Sequence, residues 1–169
     1  MKTFETFKDY IVTKAKELNA CEEQFEKAYK AENYQELLKV ITDNASWCYN
    51  NKLVNTEILA NIPNEELVEA NIYVNKQNVI QKEGLAYYYS STSKHYGSST
   101  SEHYGSSTSE HYDSSTSKHY GSSTSEHYGS SYATQYKINK ESVNDSAIVR
   151  EFLTGNVYFK KDAFNIIEL

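Results

Sequence analysis

Six tandem octapeptides occupy residues 87 to 134 of this 169-residue chain. They read YYYSSTSK from Tyr87, HYGSSTSE from His95 and His103, HYDSSTSK from His111, HYGSSTSE from His119 and HYGSSYAT from His127. The frame continues in two degenerate copies, since QYKINKES from Gln135 keeps the tyrosine and VNDSAIVR from Val143 keeps an Asp-Ser pair. Degenerate terminal copies are typical of a capped solenoid, so this period restricts the fold strongly.

The regularity of the repeat argues against a flexible linker, although its Ser, Thr and Gly content would suit one. A tyrosine recurs at every eighth residue, and the third position of the copies that begin with histidine holds only Gly or Asp. Both residues tolerate a positive φ, which marks a tight turn. Each octapeptide is therefore predicted to form one strand and one turn, and two of them to form a sixteen-residue coil of a short parallel β-solenoid.

Stacked coils place equivalent residues about 4.8 Å apart, so side chains are predicted to form ladders along each face. One tyrosine ladder contains Tyr96, Tyr112 and Tyr128, and the other contains Tyr88, Tyr104, Tyr120 and Tyr136. The eighth positions align Lys94, Glu110 and Glu126 on one side and Glu102 with Lys118 on the other. Opposite charges then often lie next to each other along the ladders, which favours this register modestly.

Alternation along a strand separates the His, Gly, Ser and Ser positions from the Tyr, Ser, Thr and Glu or Lys positions. In the copy from Val143, the first set becomes Val143, Asp145, Ala147 and Val149, which indicates that this side is the interior. Tyrosine would then be an outward ladder, and this is the arrangement we expect. The opposite arrangement stays open, because burying an aromatic column stabilises more than burying serine hydroxyls.

Before the repeats, residues 1 to 62 carry apolar side chains at helical spacing, which predicts three amphipathic helices. Asn19 and Asn33 separate the helices, Thr3 is a candidate N-terminal cap, and Trp47 is expected in the small core. A break at Pro63 and a strand-like pattern from residue 71 follow. The sequence therefore predicts an α+β protein, with a helical unit over residues 1–70 and a β-solenoid with degenerate terminal copies and a C-terminal cap over 71–169.

The bulk composition narrows the function classes. The net charge is −6, so electrostatic repulsion disfavours direct binding to nucleic acid. No segment approaches the roughly 18 apolar residues that cross a bilayer, and we expect a cytoplasmic protein without a membrane partner. Cys21 and Cys48 are too far apart in sequence for a metal knuckle, so they are expected to be buried thiols or, alternatively, a disulfide between two helices.

Two families of repeats are similar to the octapeptide HYGSSTSE. It resembles the AGYGSTxT repeat of bacterial ice-nucleation proteins, sharing the Tyr-Gly-Ser core. It also resembles the AYGSATVx repeats of small phage and prophage proteins in which a short helical segment precedes a β-solenoid. The copy from Val143 and the pair Trp47–Cys48 match this second pattern, and the resemblance covers residues 71 to 150.

The two resemblances imply different functions. The ice-nucleation repeat implies a water-ordering Thr-x-Thr surface, but this chain has Thr-Ser-Glu or Thr-Ser-Lys instead. The phage-type repeat implies an accessory protein of a mobile element, a class in which inhibitors of host defence, including anti-CRISPR proteins, are frequent.

The chemistry-bearing residues favour binding over catalysis. All five histidines lie at the first position of a repeat, where a linear column does not suit tetrahedral zinc, so no metal or other cofactor is expected. Six near-identical copies lack the single differentiated constellation of an active site, so we expect no enzyme.

We predict a non-enzymatic inhibitor that contacts a protein partner, with a homodimer possible. Its predicted contact residues are Tyr88, Tyr96, Tyr104, Tyr112, Tyr120, Tyr128, Lys94, Glu102, Glu110, Lys118 and Glu126. The alternatives are an ice-binding or self-assembling structural protein and, least expected, a module that stacks nucleic-acid bases.

Overall fold

The computed structural model describes residues 3–136 and 141–161. The chain divides into two compact units, Met1–Val74 and Asn75–Leu169. The first is built mainly of helices and the second is a parallel β-solenoid, which confirms the predicted α+β class. The last element of the first unit is a short strand, β1 (Ile72–Val74).

Helices dominate the first unit, in agreement with the apolar spacing of its sequence. They are α1 (Phe4–Glu17), α2 (Glu22–Lys30), α3 (Tyr34–Asp43), α4 (Ala45–Asn50), α5 (Thr56–Leu59) and α6 (Asn64–Glu69). The first three are the predicted amphipathic helices. Their buried side chains include Phe7, Ile11, Leu37, Leu38 and Ile41.

Local hydrogen bonds set the ends of these helices. The Thr3 and Thr6 side chains form a capping box at the start of α1. The Asn33 side chain accepts a hydrogen bond of 2.9 Å from the Glu36 backbone N–H at the start of α3. Both cysteines are free, and Cys21 is exposed whereas Cys48 is buried, so only one of the two thiols lies in the core as expected.

Short parallel strands form the second unit. They are β2 (Val79–Gln81), β3 (Leu85–Tyr89), β4 (Thr92–His95), β5 (Thr100–Tyr104), β6 (Thr108–His111), β7 (Thr116–His119), β8 (Thr124–His127), β9 (Tyr132–Gln135), β10 (Glu141–Val143), β11 (Ile148–Glu151) and β12 (Val157–Phe159).

From β2 to β11, successive strands of the solenoid alternate between two sheets. One sheet has the order β10-β8-β6-β4-β2, and in the other the strands of this unit follow the order β3-β5-β7-β9-β11-β12. Strands within a sheet pair in parallel except for β12, which is antiparallel to β11. Thr92 pairs with Thr108 and Thr108 with Thr124, so sixteen residues separate equivalent positions. This register confirms the predicted coil of two octapeptides.

The third position of each copy that begins with histidine has a positive φ, as its Gly and Asp residues predict. The φ angle is 60° at Gly97, 56° at Asp113 and 64° at Gly129. The carboxylate of Asp113 accepts a hydrogen bond of 3.0 Å from the Gly97 N–H, one coil earlier. An aspartate in this turn therefore links two coils through a side-chain contact.

The first copy differs from the predicted frame. Tyr88 pairs with His103 and Tyr89 pairs with Tyr104, so Tyr89 holds the tyrosine position and Tyr88 holds the histidine position. The turn that follows Tyr89 is one residue shorter than in the later copies, and Ser90 supplies its positive φ of 50°. Assigning Tyr88 to the same column as Tyr104 and Tyr120 was therefore wrong, since counting eight residues back from His95 ignores the shortened turn.

In the part of the chain that the structure describes, no helix has the length and apolar character needed to span a bilayer.

Candidate functional site

The solenoid interior contains two columns of histidines, which lie at the ends of the strands. His95, His111 and His127 stack in one column with ring centroids 4.5 and 4.9 Å apart. His103 and His119 stack in the other at 4.7 Å, and the two columns meet edge to face. All five imidazoles are fully buried. The prediction that the histidine side of the strand faces inward is confirmed.

Serines complete this interior. The Nε2 atom of each histidine shares a hydrogen bond of 2.8 to 3.0 Å with the serine two residues earlier, as in the pair Ser101–His103. Burial lowers the pKa of His95 to about 3 and holds the pKa of His103, His111 and His119 well below the ordinary value. These four imidazoles are therefore neutral near pH 7.

The Ser–His pairs have the contact of a nucleophile with its general base, but they lack access to solvent. Ser101 and His103 are both fully buried, so a substrate cannot reach this pair. Three of the imidazoles, His95, His103 and His111, have candidate ligand atoms within 4.8 Å of one another. Nitrogens that share one zinc ion at 2.0 to 2.1 Å are at most about 4.2 Å apart. That the chain needs no metal stays a prediction.

The two tyrosine columns differ in exposure. Tyr104 and Tyr120 are buried, at 0% and 4% exposure. Tyr96, Tyr112 and Tyr128 are half-buried and keep part of each ring accessible. The prediction of outward tyrosines is therefore wrong for Tyr104 and Tyr120 and holds in part for Tyr96, Tyr112 and Tyr128. Strand alternation does not decide this, because position two lies at the strand end, next to the turn.

Tyr96, Tyr112 and Tyr128 form the tyrosine ladder, with rings 4.9 and 5.0 Å apart and almost parallel. The Tyr112 hydroxyl donates to Glu110, and the Tyr128 hydroxyl donates to Glu126 at 2.6 Å. The hydrogen bond to the carboxylate raises the pKa of Tyr112. Each of these two phenols is therefore held in one orientation by the carboxylate two residues earlier.

The charged positions pair along the ladders as predicted. Lys94 Nζ lies 3.0 Å from Glu110, and Lys118 Nζ lies 2.9 Å from Glu102. Hydrogen bonds from Tyr112 and Lys94 lower the pKa of Glu110, so its carboxylate is ionised at neutral pH. Along the same sheet Glu126 follows Glu110 in register, which leaves the C-terminal end of this ladder acidic.

The structure brings one subset of the predicted contact residues together on an accessible face. The tyrosine ladder and Lys94, Glu110 and Glu126 belong to neighbouring positions of the same repeats, and we call them together the aromatic-acidic face. A shallow depression lined by Thr108, Glu110, Thr124, Glu126 and Ser142 adjoins it. Among the other predicted contact residues, Tyr88, Tyr104 and Tyr120 are buried, while Glu102 and Lys118 lie on the opposite sheet.

The predicted contact residues leave out the threonines of this surface. Position six of the repeat holds the column Thr92, Thr108 and Thr124. This column runs beside the charged ladder, on the same side of the strands. The Oγ1 atoms of Thr108 and Thr124 are 3.4 Å apart. The signal was present in the repeat, since position six alternates to the same face as position eight.

This arrangement offers stacked rings, fixed carboxylates and hydroxyls in a row, and it can bind a surface of complementary spacing. No protein-family model, curated protein or solved structure matches the chain.

Proposed function

We propose that this chain is a non-enzymatic binding protein that contacts a protein partner through the aromatic-acidic face. The observation that supports this proposal is the accessible tyrosine ladder, in which three rings repeat at 4.9 and 5.0 Å. Tyrosine offers a large contact area and a polar tip at low entropic cost, and it is enriched where partners bind tightly.

Rigidity of the face supports the proposal further. Stacking on neighbouring rings and hydrogen bonds to Glu110 and Glu126 already restrict the side chains of Tyr112 and Tyr128. Ordering flexible side chains costs about 0.5–1.5 kcal/mol each on association. Side chains that are fixed before binding avoid much of this cost.

The chemistry of the face favours a basic partner. Aromatic rings and carboxylates in one row are complementary to guanidinium groups, which stack on tyrosine and form two hydrogen bonds with a carboxylate. We therefore propose a partner surface rich in arginine, such as the nucleic-acid-binding groove of a protein complex. The net charge of −6 adds long-range attraction to such a groove.

The biological setting that we propose comes from the resemblance of the repeats to those of small phage and prophage proteins. The chain would be an inhibitor encoded by a mobile element, and it would occupy the basic groove of a host defence complex of the CRISPR type. Competition with nucleic acid for that groove would then be its mechanism.

The test replaces the three rings of the ladder. The variant Y96S/Y112S/Y128S should lose both the co-purification of a defence complex from host cells and the protection of a targeted plasmid. The matched control T100S/T116S changes exposed side chains of the opposite sheet, away from this face, and should keep both. Circular dichroism checks that each variant folds. Undiminished capture and protection by the tyrosine variant would reject the ladder as the contact surface.

A second candidate function rests on the threonine columns. Thr92 and Thr108, which are exposed, lie in register with half-buried Thr124. Thr100 and Thr116 are also in register, and their Oγ1 atoms are 3.2 Å apart. Regular hydroxyl rows can order water, so we also propose ice binding as the alternative. A thermal hysteresis measurement on the purified chain tests it, and freezing behaviour equal to that of an unrelated protein of the same concentration would eliminate it.

A further inference from the structure

The first unit contains an apolar cavity that the proposed binding face does not involve. Its volume is about 200 Å³, and residues of α1 to α4 line most of it. Apolar side chains form most of its walls, among them Ile11, Ala15, Ala28, Val40, Trp47 and Leu53. Within the described residues no charged side chain lines it.

Polar groups are confined to a few positions of the cavity wall. Asn44 Nδ2 donates to Gln24 Oε1 at 3.1 Å and to the Val40 carbonyl at 2.9 Å. Among the residues that the structure describes, neither the Gln24 amide N–H groups nor Asn44 Oδ1 has a protein partner. This amide pair therefore offers one donor group and one acceptor at the wall of an otherwise apolar space.

The two cysteines also line this cavity. Cys21 is exposed, whereas Cys48 is buried. Burial raises the pKa of the Cys48 thiol to about 12, so it stays neutral near pH 7. The cavity thus carries no formal charge on its buried wall at that pH.

From this geometry we propose that the helical unit binds a small uncharged molecule with an apolar body and one hydrogen-bonding end. The volume sets the size, since an apolar cavity of about 150 Å³ holds benzene. A cavity of about 200 Å³ accommodates a ring with one or two substituents. The lack of charged lining disfavours ions, because a buried charge without a partner is costly. The Gln24–Asn44 amide pair then receives the polar end.

The chain carries its own reporter for this site. Trp47 is the only tryptophan in the sequence, and it lines the cavity. Titration with p-cresol, with excitation selective for tryptophan, should therefore give a saturable change in emission. The charged analogue 4-methylbenzoate, which has a similar size, should give none over the same concentration range. Saturation-transfer NMR on p-cresol provides a second measurement that does not depend on tryptophan.

Two variants locate the binding. Val40→Phe places an aromatic ring at the half-buried edge of the cavity and should weaken p-cresol binding at least tenfold. Val68→Phe is the matched control, because Val68 lies on α6 and does not line the cavity. Ala28→Leu fills the cavity from another wall and repeats the test if Val40→Phe fails to fold.

The proposal is overturned if p-cresol gives no saturable signal by either method with folded wild-type protein. It is equally overturned if the folded cavity variants bind p-cresol as strongly as the wild type, since the ligand would then occupy another place.

Discussion

The third position of the repeat shows how one residue type fits the stacking of the coils. At Gly129, whose φ is 64°, a Cβ atom would lie 2.9 Å from the Asp113 backbone nitrogen of the preceding coil. Asp113 tolerates its own Cβ in the same turn, where its carboxylate gains the hydrogen bond from Gly97 N–H. Alanine at position 129 would make the same close contact with the Asp113 backbone, but it could not form such a compensating hydrogen bond.

We therefore expect Gly129→Ala to destabilise the solenoid by about 2–4 kcal/mol, from a strained φ and a displaced backbone together. Gly84→Ala is the matched control, because Gly84 has a φ of 74° but open space around the added atom. The control should cost only about 1–2 kcal/mol. Thermal unfolding followed by circular dichroism measures both. Equal losses in the two variants would contradict the role of the close contact.

Single residues also show the limits of what the sequence predicts. The positive φ at position three followed from the Gly and Asp residues, because only a few residue types adopt it readily. The burial of Tyr104 and Tyr120 did not follow, since all copies carry the same tyrosine. Identical residues in two columns have different surroundings, which a repeat that is uniform in sequence does not encode.

Among the structural elements, the histidine columns dominate the interior of the solenoid. In one sheet the column continues from His103 and His119 to Gln135 and Glu151, and in the other it begins at Gln81 before His95. Hydrogen-bonding side chains therefore occupy a place that aliphatic residues usually fill. The serine partners satisfy the imidazole Nε2 atoms, and these pairs keep such an interior stable.

This interior should make the solenoid sensitive to acid. An imidazole whose folded-state pKa lies below the unfolded value of 6.5 takes up protons preferentially in the unfolded chain. The associated stability is complete above about pH 6.5 and declines as the pH falls towards the folded-state pKa. Four such imidazoles remove about 5.4 kcal/mol for each pH unit. A domain stability of about 5–15 kcal/mol would then be exhausted between about pH 5.6 and pH 3.7.

Circular dichroism during an acid titration measures this transition. The variant H103Q/H119Q should unfold at a lower pH, because two proton-binding sites are removed and Gln135 already occupies the same column. T100S/T116S, on the exposed face of the same strands, serves as the control and should unfold at the wild-type pH. An acid midpoint that is unchanged in the histidine variant would contradict the prediction.

The strands and their pairing were largely predictable, whereas the ends of the solenoid were not. The eight-residue period implied the register of His95 with His111, because equal residues stack in the most regular ladder. The shortened first turn at Ser90 and the antiparallel strand β12 have no counterpart in the repeat. On the proposed contact surface, the predicted register of the charged ladders is confirmed, but the sequence does not tell which tyrosine column is accessible.

Across the complete solenoid, the two alternating columns make sixteen residues the structural unit. Deleting residues 103–118 removes one coil and brings Lys94 next to Glu126, which preserves an ion pair of opposite charges. Deleting residues 103–110 removes half a coil and shifts every later strand to the other sheet. Each column would then combine tyrosines that are buried in the wild type with tyrosines that are accessible there.

We expect the sixteen-residue deletion to keep the far-ultraviolet circular dichroism spectrum and to lower the melting temperature by only a few degrees, because one nearest-neighbour interface is lost. The eight-residue deletion should melt at a clearly lower temperature, although it removes fewer residues. Melting curves of both proteins, measured side by side, decide this. A half-coil deletion that is as stable as the full-coil deletion would show that the two columns are equivalent.

The same pairing of octapeptides restricts how the gene can change in length. A change in the number of repeats adds or removes whole octapeptides. Only an even number leaves Val149 under Ala133 and the final antiparallel hairpin on its original side. Viable length variants should therefore differ by two octapeptides, and each such step would lengthen or shorten the protein by about 4.8 Å.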